Sequence, residues 1–133
     1  MLAGLPPYVL SALTFIAILW LTLAPKPLGD NAPELFPGAD KVVHGIMFWG
    51  FASMMLLDYQ RKREWHKVSL LVIAMAVMIS FSVGLAVEYA QWGMALGRGF
   101  EEGDIVADGI GALAAGTGWW LLQKYWCGHR ENN

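Results

Sequence analysis

Apolar residues in this chain gather into four runs, Tyr8 to Ala24, Val42 to Leu57, Val68 to Trp92 and Ile105 to Trp126, separated by short polar stretches. None alternates polar and apolar positions with period two, so strands are not expected. The pattern predicts four helices, over 8–24, 42–57, 68–92 and 105–126, in a single domain covering 1–133. Pro6-Pro7 suit the start of the first helix and Pro25 its end. Pro37-Gly38 precede the second, and the turn-rich stretch from Gly97 to Gly103 separates the last two. The second run is the short one. About 16 residues at 1.5 Å each give roughly 24 Å, less than the ~30 Å hydrocarbon core of a bilayer. Such a deficit favours a water-filled pocket at one end of that helix.

Composition places these runs in a membrane. Hydrophobic residues make up 56% of the 133 and charged residues 15%, with seven Trp suited to interfacial belts. The charges are clustered at the ends of the apolar runs. The first run lacks the preceding basic segment of a cleaved signal peptide, and Thr22 and Ala24 make a poor cleavage site, so it reads as a helix. The single cysteine, Cys127, excludes an intrachain disulfide and a cysteine-based zinc cluster. Basic residues set the orientation. Arg61, Lys62, Arg63 and Lys67 crowd the second connection, and Lys124 and Arg130 lie in the tail. The first and third connections carry Lys26, Lys41 and Arg98 against Asp30, Glu34, Asp40, Glu101, Glu102 and Asp104. The positive-inside bias puts the second connection and both termini in the cytoplasm. The expectation is an all-α membrane protein, a four-transmembrane-helix bundle of the inner (cytoplasmic) membrane. Its partner is the lipid bilayer, with the basic loop touching anionic lipid; nucleic acid is not expected.

This orientation gathers the scattered polar groups. Asp40, Lys41 and His44 fall in the outer turns of the second helix, Glu88 and Gln91 in those of the third, and Asp104 and Asp108 in those of the fourth, with Arg98 in the loop between the last two. Asp40 and His44, Glu88 and Gln91, and Asp104 and Asp108 are three or four apart, so each pair shares a helix face. On the fourth helix the face continues as Gly111, Ala115 and Gly118, small residues that permit close packing. Gly84 leaves space below the Glu88 carboxyl, and the first helix is expected to be a supporting wall. Asp40 and Asp104 also suit helix N-caps, while Glu101-Glu102 reads as a solvated face. His44 and Glu88 are the candidate acid–base pair. Asp40, Lys41, Gln91, Arg98, Asp104 and Asp108 are the candidate ligand-binding residues. His44, Glu88, Asp104 and Asp108 together offer donors suited to a divalent metal such as zinc or manganese, although their spacing does not demand one.

Several of these pieces form an ordered set. Leu23-Ala24-Pro25, Asp40-Lys41-Val42-Val43-His44, Glu88-Tyr89-Ala90-Gln91, Gly97-Arg98 through Asp104, and Asp108 with Gly111 together resemble the VanZ-like family of small integral membrane proteins across nearly the whole chain. One departure is Asp108, where the family pattern often has Asn. The resemblance implies a cell-envelope protein related to glycopeptide (teicoplanin) resistance, without implying a reaction. Two functions compete. One is a pocket that binds or sequesters a lipid-linked or peptide envelope ligand, or a glycopeptide, without turnover. The other is a hydrolase or transferase acting on a lipid-linked substrate with His44 and Glu88 as acid and base. The chain has no Gly-rich phosphate loop, no Gly-x-Ser-x-Gly elbow and no His-Glu-x-x-His pair. A transport role finds only Ser53, Ser80 and Ser82 inward of Asp108, too few for a proton relay.

Overall fold

The computed structural model describes residues 4–24, 29, 36–94 and 99–130, with side chains through 126. It is all-helical, with helices α1 (Val9–Leu23), α2 (Ala39–Lys62), α3 (Leu70–Gly93) and α4 (Glu102–Arg130), and no strand among the described residues. Three helices, α2, α3 and α4, are long and apolar enough to cross a membrane, the pattern of a multi-pass membrane protein. Large apolar side chains such as Ile16, Trp20, Leu70, Leu71 and Leu122 stand more than half exposed on the outside, a surface suited to lipid rather than water.

Helix lengths correct the sequence expectation. The second helix is not short: its 24 residues span about 36 Å, so the inferred deficit and the pocket argument drawn from it fall away. Hydropathy marked only its apolar middle, whereas the charged ends from Asp40 to Lys62 are helical too. The short helix is α1, whose 15 residues reach only about 22 Å. Its N-cap, Tyr8, adopts a left-handed backbone with φ 62°, and extended Ala24 follows its end. Gly38, with φ 81°, supplies the left-handed entry to α2 that a residue bearing Cβ takes up at a cost. Between α2 and α3 the chain reverses through Glu64 and Trp65, both with positive φ. The Ser69 side chain then caps α3 by accepting from the Val72 amide.

The core is built in layers. Ile18, Phe48, Phe51 and Val87 join α1, α2 and α3. Ala52, Ala112 and Ala115 make a close α2–α4 contact backed by Val77. Leu56, Val68, Ile73 and Ala76 fill the end near the α2–α3 connection, with Trp119 packed against them. The expected small-residue line on α4 holds through Gly111 and Ala115 but not at Gly118, around which a Cβ would meet nothing; the tight contact moves to Gly116, where a Cβ would lie 2.6 Å from Val77 Cγ2. Gly116 lies on another face of α4, about 140° round from Gly111, so it meets Val77 and Ile73 of α3 whereas Gly111 meets Gly45 of α2.

Buried polar side chains cross-link the layers. Gln123 on α4 accepts from the Val68 amide and donates to its carbonyl, at 3.1 and 2.9 Å. Ser80 on α3 donates to the Phe48 carbonyl on α2. Asp58 on α2 is fully buried and accepts from the Ser11 amide and hydroxyl on α1, both at 2.8 Å, and from Arg61 at 2.6 Å. Each bond removes a desolvated donor or acceptor that would otherwise be costly.

Candidate functional site

The start of α2, the end of α3 and the start of α4 meet at one end of the bundle. What sets their rotation is the approach of α2 and α4 at Gly45 and Gly111, where a methyl on Gly111 would overlap the Gly45 carbonyl. This crossing brings His44 of α2 against Asp108 of α4. His44 Nδ1 lies 3.1 Å from Asp108 Oδ1, and both residues are buried. A carboxylate accepts, so Nδ1 carries the proton when the ring is neutral, and Nε2 is left with its lone pair. Nε2 faces Asp104 Oδ2 at 3.8 Å, too far for a hydrogen bond. The Phe48 ring lies near the imidazole at an interplanar angle of 27°, with centroids 6.5 Å apart.

Asp108 fits here because of Gly84 on α3. A Cβ at Gly84 would lie 2.5 Å from Asp108 Oδ2, so the glycine makes room for the Asp108 carboxylate rather than for Glu88. Glu88, only 2% exposed, uses Oε1 to accept from the Glu101 amide at 2.6 Å, and its Oε2 is buried with no hydrogen-bond partner. The two residues read from the sequence as an acid–base pair therefore share no hydrogen bond; the partner of His44 is Asp108.

Lys41 lies over the start of α4, its stem crossing Gly103 so closely that a Cβ there would sit 2.6 Å from Lys41 Cε. Its ammonium is 2.7 Å from Glu101, 3.2 Å from Asp40 and 3.5 Å from Asp104. Neither acid expected as a cap serves as one. Gly38 is the N-cap of α2 and Asp40 stands in the first turn; Asp104 likewise stands in the first turn of α4, which begins at Glu102. Both still benefit from the positive helix end. Gln91 is buried and donates to the Thr22 carbonyl at 2.8 Å, which ties α3 to the end of α1 and makes that helix more than a passive wall. Arg98 lies outside the described residues.

These groups border a pocket of about 360 Å³ lined by Thr22, Asp40, His44, Gln91, Glu101 and Asp104 together with Leu21, Val43, Met47 and Gly99. Of the metal-donor set read from the sequence, Asp108 lies on the Nδ1 side of His44 while Asp104 faces Nε2. The acids that cluster instead are Asp40, Glu101 and Asp104, with oxygens within 4.8 Å of one another. Glu101, read as a solvated face, is central: its amide holds Glu88 and its carboxylate holds Lys41. It sits in an irregular segment, where periodicity gives no signal. Asp58 lies one residue beyond the predicted second helix; its spacing of three from Arg61 is the visible clue to its pairing.

Comparison with protein-family models, curated proteins and solved structures returns no match. The likeness to the VanZ-like family rests on the motif residues alone.

Proposed function

We propose that the protein is a VanZ-like multi-pass protein of the inner membrane, with four crossings and both termini cytoplasmic, and that its pocket faces outward. There it binds or sequesters the polar part of a lipid-linked or peptide envelope ligand, a role the resemblance connects with glycopeptide resistance. The carrying observation is the pocket itself, a cavity bordered by the buried ion-paired side chains of His44 on α2 and Asp104 on α4, with the buried Gln91 of α3 and Thr22 of α1 beside them. Its described lining holds no free nucleophile. The one hydroxyl, on Thr22, is donated to the Ile18 carbonyl at 2.7 Å. Lys41 is already engaged by three carboxylates, so among the described residues the rim offers the ligand acidic groups rather than a free cation.

An acid–base enzyme is the second reading, favoured by one contact: Asp108 on Nδ1 orients His44 as a carboxylate orients a general base. Asp108→Asn separates the two. An amide oxygen still accepts from Nδ1–H but carries no charge, and Asn is what the family pattern often holds at this position. Envelope phenotype scored beside protein abundance for Lys41→Ala, His44→Ala, Glu88→Gln and Asp108→Asn is the experiment. Binding predicts that Asp108→Asn keeps the phenotype at normal abundance, whereas catalysis predicts a loss of about 10²-fold or more in activity. Loss of abundance in step with every lost phenotype would reduce the cluster to a structural role.

A further inference from the structure

We propose that a groove at the other end of the bundle, beside the α2–α3 connection, binds one phospholipid with an anionic head group, taken from the adjoining bilayer leaflet. The groove, of about 450 Å³, is lined by Trp119, Leu122, Gln123 and Trp126 of α4 together with Gln60 of α2 and Trp65 of the connection. Trp119, Gln123 and Trp126 are four and three apart, so they share one face of α4 and extend the groove about 10 Å along its axis. Trp119 closes the deep end by packing against Leu56, Val68, Ile73 and Ala76. The buried Gln123 amide is already spent on both backbone groups of Val68. A wall of indoles and leucine whose buried amide is satisfied suits a hydrocarbon chain rather than a sugar or a peptide backbone. Leu122 and Tyr125 are each 67% exposed, so the groove opens onto the apolar outer surface and a bilayer lipid reaches it without entering water.

Charge selects the head group. The connection carries Arg61, Lys62, Arg63, His66 and Lys67 against Glu64. Arg61 is spent on Asp58 and the Leu5 carbonyl, and Lys62 lies over the Tyr8 ring. Glu64 lines a separate pocket with Arg61 and Lys62. Arg63 and Lys67 are exposed and pair with no carboxylate among the described residues. The chain itself ties both to the groove. Lys67 precedes Val68, which Gln123 holds from the floor, and Arg63 stands two residues before Trp65. Lys124, next to Gln123, adds a third cation, 4.8 Å from the Trp120 ring centroid. The indole N–H groups of Trp65, Trp119 and Trp126 donate to no protein acceptor among the described residues. Such donors at a membrane interface suit the ester and phosphate oxygens of a lipid. Glu64 and Trp65 both hold a left-handed backbone, φ 52° and 65°, which bulky side chains adopt at a cost. That costly turn is the one that sets Trp65 on the groove.

The test is native mass spectrometry of the whole protein released from detergent, titrated with phosphatidylglycerol or with phosphatidylcholine of the same acyl chains. One phosphatidylglycerol per chain is expected, bound at least about ten-fold more tightly than phosphatidylcholine, since each cation facing an anionic lipid contributes about five-fold. Arg63→Gln combined with Lys67→Gln should bring that preference below about two-fold. Trp65→Ala combined with Trp126→Ala should weaken both lipids at least about five-fold and keep the preference, because the groove holds the part that the two lipids share. Lys62→Gln removes an equal charge away from the groove and should leave the preference within about two-fold of the parent. The five substituted side chains are all exposed; should the double tryptophan variant fail to fold, Trp126→Ala alone carries the comparison. Equal binding of the two lipids would overturn the inference, as would a preference kept without Arg63 and Lys67 or lost as fully in Lys62→Gln. Affinity unchanged in the tryptophan variant would overturn it too, leaving only a diffuse electrostatic layer. The groove shares no residue with the pocket proposed for the envelope ligand, so either reading can fail alone.

Discussion

At Gly84 one added methyl group would sit 2.5 Å from Asp108 Oδ2 and 3.0 Å from its Cβ and Cγ. Asp108 is 1% exposed and held on its other side by His44, so it has little room to retreat. Gly84→Ala is expected to lower stability by about 1–3 kcal/mol, the usual cost of overpacking, and to move the His44 ring. Thermal unfolding in detergent measures the first effect and the imidazole NMR shifts the second; an unmoved ring would break the link drawn here between Gly84 and His44. Gly103 looks equally crowded, with a Cβ 2.6 Å from Lys41 Cε, but the obstacle is the end of a flexible, half-exposed side chain. Gly103→Ala should therefore change stability by no more than about 0.5 kcal/mol while pushing Lys41 off the acid cluster. Two glycines with nearly the same clearance thus differ in consequence because their neighbours differ in freedom.

Between elements, the decisive contact is the α2–α4 crossing. A methyl on Gly111 meets the Gly45 backbone carbonyl, which cannot rotate away as a side chain can. Gly111→Ala should cost about 3 kcal/mol and separate His44 from Asp108, a change that thermal unfolding and cross-linking between α2 and α4 can detect. At the opposite end of the bundle, Asp58 of α2 clasps α1 through the Ser11 amide and hydroxyl, and pairs within its own helix with Arg61. Asp58→Ala leaves the Arg61 guanidinium, 8% exposed, without its carboxylate, and removal of one member of a buried pair costs about 3–5 kcal/mol. Because α1 is held otherwise by apolar packing and the Gln91 bond to Thr22, proteolysis near its start should rise in that variant. Unchanged proteolysis at unchanged stability would mean the clasp is dispensable.

For the whole molecule, the proposed topology has a built-in reporter: Cys127 is the only cysteine in the chain. With both termini cytoplasmic, a membrane-impermeant maleimide should label Cys127 in opened cells and not in intact ones; labelling of intact cells would invert the assignment and turn the pocket inward. Helix number and type, and the end of each helix at which polar groups collect, were legible in the sequence because hydropathy and charge are local properties of a run. Helix ends were less legible, since charged terminal turns such as those of α2 carry no apolar signal. The gathering of Asp40, Lys41, His44, Asp104 and Asp108 followed from spacing and parity of crossings, yet their pairing did not. That His44 meets Asp108 rather than Glu88, that Gly84 shelters Asp108, and that Glu101 joins Glu88 to Lys41 depend on how far each helix is rotated and on the path of an irregular loop. Period and charge determine which face of a helix is polar. Only tertiary packing, through contacts as close as Gly45 on Gly111, decides which atom that face meets.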